Sequence, residues 1–189
     1  SLSKQTSETI TTLTLSLNNI QTIEVAALKL PQLLNLNLSK NRIKNLPKNF
    51  SESFPNLINL DLSYNYIEEI PESSSIFPET LKELNLSHNC IEKVSTTITS
   101  LRNLISLKIN DNKLTYVPKL NPFIQLFCAS DNKISEIESQ DLFSLIGINL
   151  QNNELTSYPI GIYHPYLEGI NLSHNKISRI NFSSSIEEN

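Results

Sequence analysis

The chain has 189 residues, 39 % of them hydrophobic and 18 % charged. That balance can bury a sizeable core and excludes an intrinsically disordered chain. The formal net charge of −4, with no run of Lys or Arg, offers no phosphate track and argues against nucleic acid, and no apolar stretch is long enough to span a bilayer.

The first residues, SLSKQTSETI, carry no apolar segment of the signal-peptide kind and no initiator Met. A processed or excised piece is therefore expected. From residue 10 onward one phrase recurs, L-x-x-L-x-L-x-x-N-x-L. Its closing asparagines are Asn18, Asn41, Asn65, Asn89, Asn112, Asn132, Asn153 and Asn175, at intervals of 23, 24, 24, 23, 20, 21 and 22 residues. The apolar positions are Leu33, Leu36, Leu38 and Ile43 in the second repeat and Leu57, Leu60, Leu62 and Ile67 in the third. The fourth has Leu81, Leu84, Leu86 and Ile91, and the last Leu167, Ile170, Leu172 and Ile177. Apolar and polar residues alternate within each L-x-L, which predicts a short strand with one buried face. One repeat cannot bury its own leucines, whereas stacked repeats share a continuous core. The anchoring Asn then points inward, where its amide must find backbone partners. These eight form an expected structural ladder.

This pattern resembles the leucine-rich repeat family over residues 10–180. The resemblance implies an α/β right-handed solenoid, a horseshoe with eight parallel strands on its concave side and an irregular or short-helical convex side. Residues 1–189 are expected to form one such domain, with repeats starting near 10, 33, 57, 81, 104, 124, 145 and 167. The early return segments EVAALKLPQ, PKNFSESFPN and PESSSIFPET suit a helical turn or irregular coil. Pro47, Pro71, Pro118 and Pro159 close their repeats, stopping the chain where no further N–H is available to a ladder. The intervals of 23–24 resemble cytosolic members, among them the Ras-binding and the cyclase- or phosphatase-linked groups, and the later intervals of 20–22 depart from them. Nothing after the last repeat, INFSSSIEEN, looks like a cap. Flanking sequence in a larger parent protein is expected to supply one.

The resemblance leaves one sheet face open to solvent, and recognition is expected there. Eight strands at about 4.8 Å spacing make a face roughly 38 Å long, comparable to one side of a standard interface of about 800 Å². The column between the strand leucines reads Thr14, Asn37, Asp61, Asn85, Lys108, Cys128, Asn149, Asn171. The next column, read as exposed, is Ser16, Ser39, Ser63, Ser87, Asn110, Ser130, Gln151, Ser173. Charged and aromatic residues gather in the middle repeats. The candidate partner-binding set is Lys40, Asp61, Tyr64, Tyr66, Glu83, Asn85, His88, Lys108, Asp111 and Asp131. Solvated sheet surface is the bland alternative for the same residues.

A second candidate lies in FCASDN, which places Phe127 and Ala129 in the core and Leu126 and Cys128 outside. Gly147 and Gly169 share the column of Leu126, and glycine inside a strand marks close approach of another backbone. A shallow hollow over Leu126, Cys128, Gly147 and Gly169 is the expectation; drift on an unconstrained face is the alternative.

Catalytic chemistry finds little support. His88, Asp111 and Asp131 have the donor types of a metal site but sit where loop mouths collect such residues anyway. His88 with Ser63 or Ser87 and Asp61 imitates a triad, yet Ser fills that column in most repeats and no oxyanion loop is visible. No catalytic residue, metal or cofactor is expected. Cys90 and Cys128 lie two repeats apart in different columns, which argues against a disulfide and for a reducing compartment. Sequons begin at Asn37, Asn49, Asn85, Asn171 and Asn181, and three of them are the repeated N-L-S of the strand. The expected protein is thus a non-catalytic, monomeric, cytoplasmic interaction module of a signalling protein, binding another protein and neither nucleic acid nor membrane. A secreted or extracellular module, in a receptor or a pathogen effector, is the alternative.

Overall fold

The computed structural model describes residues 9–24, 29–73, 76–159 and 166–180. Eight three-residue strands form one parallel sheet: β1 Thr12–Thr14, β2 Asn35–Asn37, β3 Asn59–Asp61, β5 Glu83–Asn85, β7 Ser106–Lys108, β8 Leu126–Cys128, β9 Gly147–Asn149 and β10 Gly169–Asn171. Their register is strict, running Asn35, Asn59, Glu83, Ser106, Leu126, Gly147, Gly169 along one row. This is the leucine-rich solenoid that the repeats imply.

The central residue of each strand turns inward, so Leu36, Leu60, Leu84, Leu107, Phe127 and Ile148 are buried. Leu33, Leu57, Leu81, Leu104, Ile124 and Leu145 stack three residues earlier, each fully enclosed. A leucine so buried contributes about 1.5–3 kcal/mol, and only a stack of repeats completes its surroundings. Phe127 and Ala129 are both fully enclosed, the large ring filling what the small side chain leaves.

The interval between repeats shapes the convex side. Where it is long there is room for a helical turn, α1 Phe50–Ser53 and α2 Thr97–Ser100, and for buried Phe50, Phe54 and Phe77. The rings of Phe50 and Phe54 pack 4.9 Å apart. Two short convex strands, β4 Glu69–Ile70 and β6 Lys93–Val94, pair in parallel, and Pro71 ends the first of them. In the shorter later repeats a single bridge, Tyr116 to Glu136, is what remains of this second sheet among the described residues. The sequence reading did not anticipate α2. The described part of PESSSIFPET holds no helix, and residues 25–28, within EVAALKLPQ, lie outside the described residues.

Candidate protein-binding surface

After each strand the chain must turn out of the sheet, and it does so through one left-handed residue. Leu17, Lys40, Tyr64, His88, Asp111, Asp131, Asn152 and His174 all have φ between 50° and 58°. From Leu17 to Asn152 their N–H groups still bond the next repeat, as Tyr64 does to Ser87 O at 2.9 Å and His88 to Asn110 O at 2.8 Å. Asn, Asp and His tolerate this conformation, and five of the eight are of those types. Leu17, Lys40 and Tyr64 are not, and a side chain there costs about 1–2 kcal/mol.

The following Asn turns inward. Asn65 Nδ2 donates to Leu38 O and Leu62 O at 3.0 Å each, and its Oδ1 accepts from Ile43 N–H at 3.0 Å. Asn41, Asn89, Asn112, Asn132, Asn153 and Asn175 repeat the arrangement. From Leu15 to Leu150 each strand-end carbonyl therefore receives two amides, its own and the next repeat's, which matches its two lone pairs. Asn18 is exposed and reaches only Leu15 O and Ser16 O, because no described repeat precedes it.

Two columns that looked free on sequence have structural duties. Asp61 Oδ1 accepts from Ser63 N–H at 2.9 Å and from its hydroxyl at 2.7 Å, and Asn37, Asn85, Asn149 and Asn171 hold the same turn. Ser39, Ser63 and Ser87, so held, are buried, and Ser130 is buried too, contrary to the exposed column expected of them. Lys108 and Cys128 cannot accept such a bond. In the sixth repeat Asn110, reaching from the fifth, takes Ser130 N–H at 3.0 Å instead. The sequons at Asn37, Asn85 and Asn171 are thus turn acceptors, Asn49 contacts Glu52, and Asn181 lies outside the described residues.

The left-handed row is where the candidate residues meet. Lys40 Nζ stands 5.5 Å from the Tyr64 ring centroid, and the Tyr64 and His88 rings stack at 4.0 Å with 14° between their planes. His88 Nδ1 lies 2.6 Å from Asp111 Oδ2. Asp131 is held by Asn152 Nδ2 at 2.7 Å. Four consecutive repeats thus carry one connected line of cation, aromatic, imidazole and carboxylate, and the two carboxylates have different partners, Asp111 on His88 and Asp131 on Asn152. Glu83 and Lys108 project from neighbouring strands and are exposed. Tyr66 is 51 % exposed, but no described contact joins it to the line. The sequence reading missed a shorter polar ladder beside it: Asn35 donates to Thr12 Oγ1 at 3.2 Å, and Asn59 to Asn35 Oδ1 at 2.6 Å. Successive asparagines in one strand column were its signal.

At the second candidate, the group that approaches Gly147 is a side chain and not a backbone. Leu126 Cδ2 comes within 3.1 Å of where a Gly147 Cβ would stand, while nothing lies within 4 Å at Gly169. Leu126 thus fills its own half of the hollow. Cys90 and Cys128 are both free thiols. Burial raises the Cys128 pKa above its ordinary value, against a smaller opposing pull from Lys108.

An open parallel sheet with a fixed line of mixed side chains along its rim is the surface of a protein-interaction solenoid. A profile of the Leucine rich repeat family matches residues 8–67 and 55–114, more than half the chain. The chain belongs to the leucine-rich repeat family. Among solved structures it is similar to a leucine-rich repeat protein of Leptospira interrogans, LIC12759, with 27 % identity and a TM-score of 0.79 over 93 % of this chain and 49 % of that one. It is also similar to YopM of Yersinia enterocolitica, with 23 % identity and a TM-score of 0.75 over 91 % and 35 %. The leucine-rich repeat domain of a Shigella effector matches at 24 % identity and a TM-score of 0.71, over 89 % and 71 %. The chain spans about a third to a half of the length of the first two. No curated protein sequence matches it. Among the described residues no helix is long and apolar enough to cross a membrane.

Proposed function

We propose that this chain is a non-catalytic module that holds a partner protein against its concave sheet, as the targeting or regulatory segment of an intracellular signalling protein. The observation that carries the reading is the line Lys40–Tyr64–His88–Asp111, exposed side chains of mixed chemistry fixed by one another before any partner arrives. Such preorganisation reduces the ordering cost of association. Two free thiols suit a reducing compartment. The partner would read the rim line together with Glu83 and Lys108, which hold none of the turn bonds that occupy Asp61 and Asn85.

Affinity capture with two baits tests this. One is the native chain; the other carries Glu83→Lys and Lys108→Glu, both at exposed positions. A protein retained by the first should be lost by the second. Equal retention by both would move recognition off the concave face. Glycan on Asn49 of the native protein would overturn the intracellular setting.

A further inference from the structure

The column three residues before each strand changes character along the solenoid. In the third to fifth repeats it is polar and structural. Asn56 Nδ2 donates to Pro31 O at 2.8 Å, Thr80 Oγ1 to Leu57 O at 2.8 Å, and Asn103 Nδ2 to Glu79 O at 2.8 Å. In the sixth repeat the amide moves inward to Asn121, which is fully buried, donates to Leu104 O at 3.0 Å and accepts Phe123 N–H at 2.9 Å. Relieved of that duty, the column carries Phe123 and Tyr166 in the sixth and eighth repeats, with Phe143 one residue earlier in the seventh. These three rings are 52 %, 67 % and 58 % exposed. Beside Phe143 and Tyr166 a shallow hollow is lined by Phe143, Ser144, Ile146, Tyr166, Leu167 and Glu168. Single exposed apolar residues are ordinary, but exposed rings in three successive repeats, two of them lining one hollow, mark a site of association.

We infer that this strip is a second docking surface, distinct from the concave rim, and that its occupant is an amphipathic helix of a partner with Lys or Arg flanking the apolar stripe. Spacing decides between helix and strand. Phe123 and Tyr166 share a column two repeats apart, about 10 Å at the ~4.8 Å step of a sheet. A helix crossing the repeats places residues i and i+7 about 10.5 Å apart, with i+3 or i+4 over the middle repeat. An extended segment places like-facing residues about 6.7 or 13 Å apart and falls out of step. Charge decides the flanks. Glu168 lines the hollow and Asp141 precedes Phe143 by two residues, both exposed and neither in an ion pair among the described residues. No Lys or Arg lines the hollow.

The probe is a fluorescein-labelled 18-residue peptide with Leu at i, i+3, i+4 and i+7 spacing and Lys elsewhere, followed by anisotropy. The native chain should bind it, and Phe123→Asn with Tyr166→Asn should weaken binding at least tenfold. Asparagine is the residue the fold itself places in this column at Asn56 and Asn103, so the variant keeps its packing, which circular dichroism checks. Asp141→Lys with Glu168→Lys, confined to the surface, should weaken binding at least fivefold. The bait carrying Glu83→Lys and Lys108→Glu should bind the peptide as the native chain does, which separates this surface from the concave one. Undiminished binding by either strip variant would overturn the inference. So would equal binding of a peptide with scrambled leucines, or a native dimer in sedimentation that the Asn variant turns to monomer.

Discussion

Two columns of side chains run side by side through the repeats, one residue apart. The inner one is Asn in all eight, and the outer one is Leu, Lys, Tyr, His, Asp, Asp, Asn and His. The outer column is left-handed in every repeat, and the inner one is not. Uniformity inside follows from geometry, because only an amide placed there can feed two carbonyls while accepting the N–H two residues into the preceding repeat's turn. Outside, the fold demands a positive φ and nothing else, and this chain does not spend its glycines there. It accepts left-handed Lys40 and Tyr64 instead. Where a cheaper residue would serve the fold, the side chain that stands in its place is a better witness to function than the leucines are.

The sharpest way to break that contrast is to truncate the inner column. Asn65→Ala leaves Leu38 O and Leu62 O with their second donors, Asn41 and Asn89, but strips Ile43 N–H of its acceptor in a buried site. Together with the small cavity, the expected loss is about 2–4 kcal/mol in urea unfolding. Asn18→Ala removes an exposed amide serving only its own turn and should cost under about 1 kcal/mol. Equal losses at the two sites would mean that the ladder is not what holds the repeats in register.

The outer column should respond the other way. Tyr64→Asn substitutes a residue that tolerates φ near 55° and relieves the strain of a left-handed tyrosine. The ring's stack on His88 and its contact with Lys40 are lost in exchange. Stability should change by less than about 1 kcal/mol in either direction. Retention of the captured partner should nevertheless fall, since the line is cut at its centre. A variant that unfolded early yet bound normally would assign Tyr64 to the fold.

How much of this could be read beforehand follows from which residues repeat. The sheet, the stacked leucines and the inward asparagines were legible because a local pattern dictates them in every copy. The turn duty of Asp61 and of the buried serines was not, although N-L-S and D-L-S stand in the sequence. A side chain that bonds its own backbone two residues on looks, as a letter, like any exposed polar residue. The line Lys40–Tyr64–His88–Asp111 was visible as a set of candidates and not as a contact chain, because left-handed geometry brings these side chains together along the rim. The second helix and the convex strands escaped because their segments lack any shared motif. Gly147 misled for a related reason: its missing Cβ makes room for Leu126 from the neighbouring strand, and strand sequence does not say which neighbour leans over.

The finest test concerns the end of the line. His88 and Asp111 meet at 2.6 Å with side chains 38 % and 61 % exposed, so solvent screens the pair and its net worth is small. Asp111→Asn keeps a residue suited to φ of 50° and keeps an oxygen that can accept from the imidazole, but removes the charge. Unfolding should shift by less than about 0.5 kcal/mol. If the carboxylate serves to fix His88 against Tyr64 for a partner, affinity should still fall several-fold by calorimetry with the captured protein, and Asp111→Ala should lower it further by leaving the imidazole unheld. An unchanged affinity in both variants would confine the working part of the rim to Lys40 and Tyr64, and the imidazole–carboxylate contact would then be an incidental pairing of two residues that the turn merely tolerates.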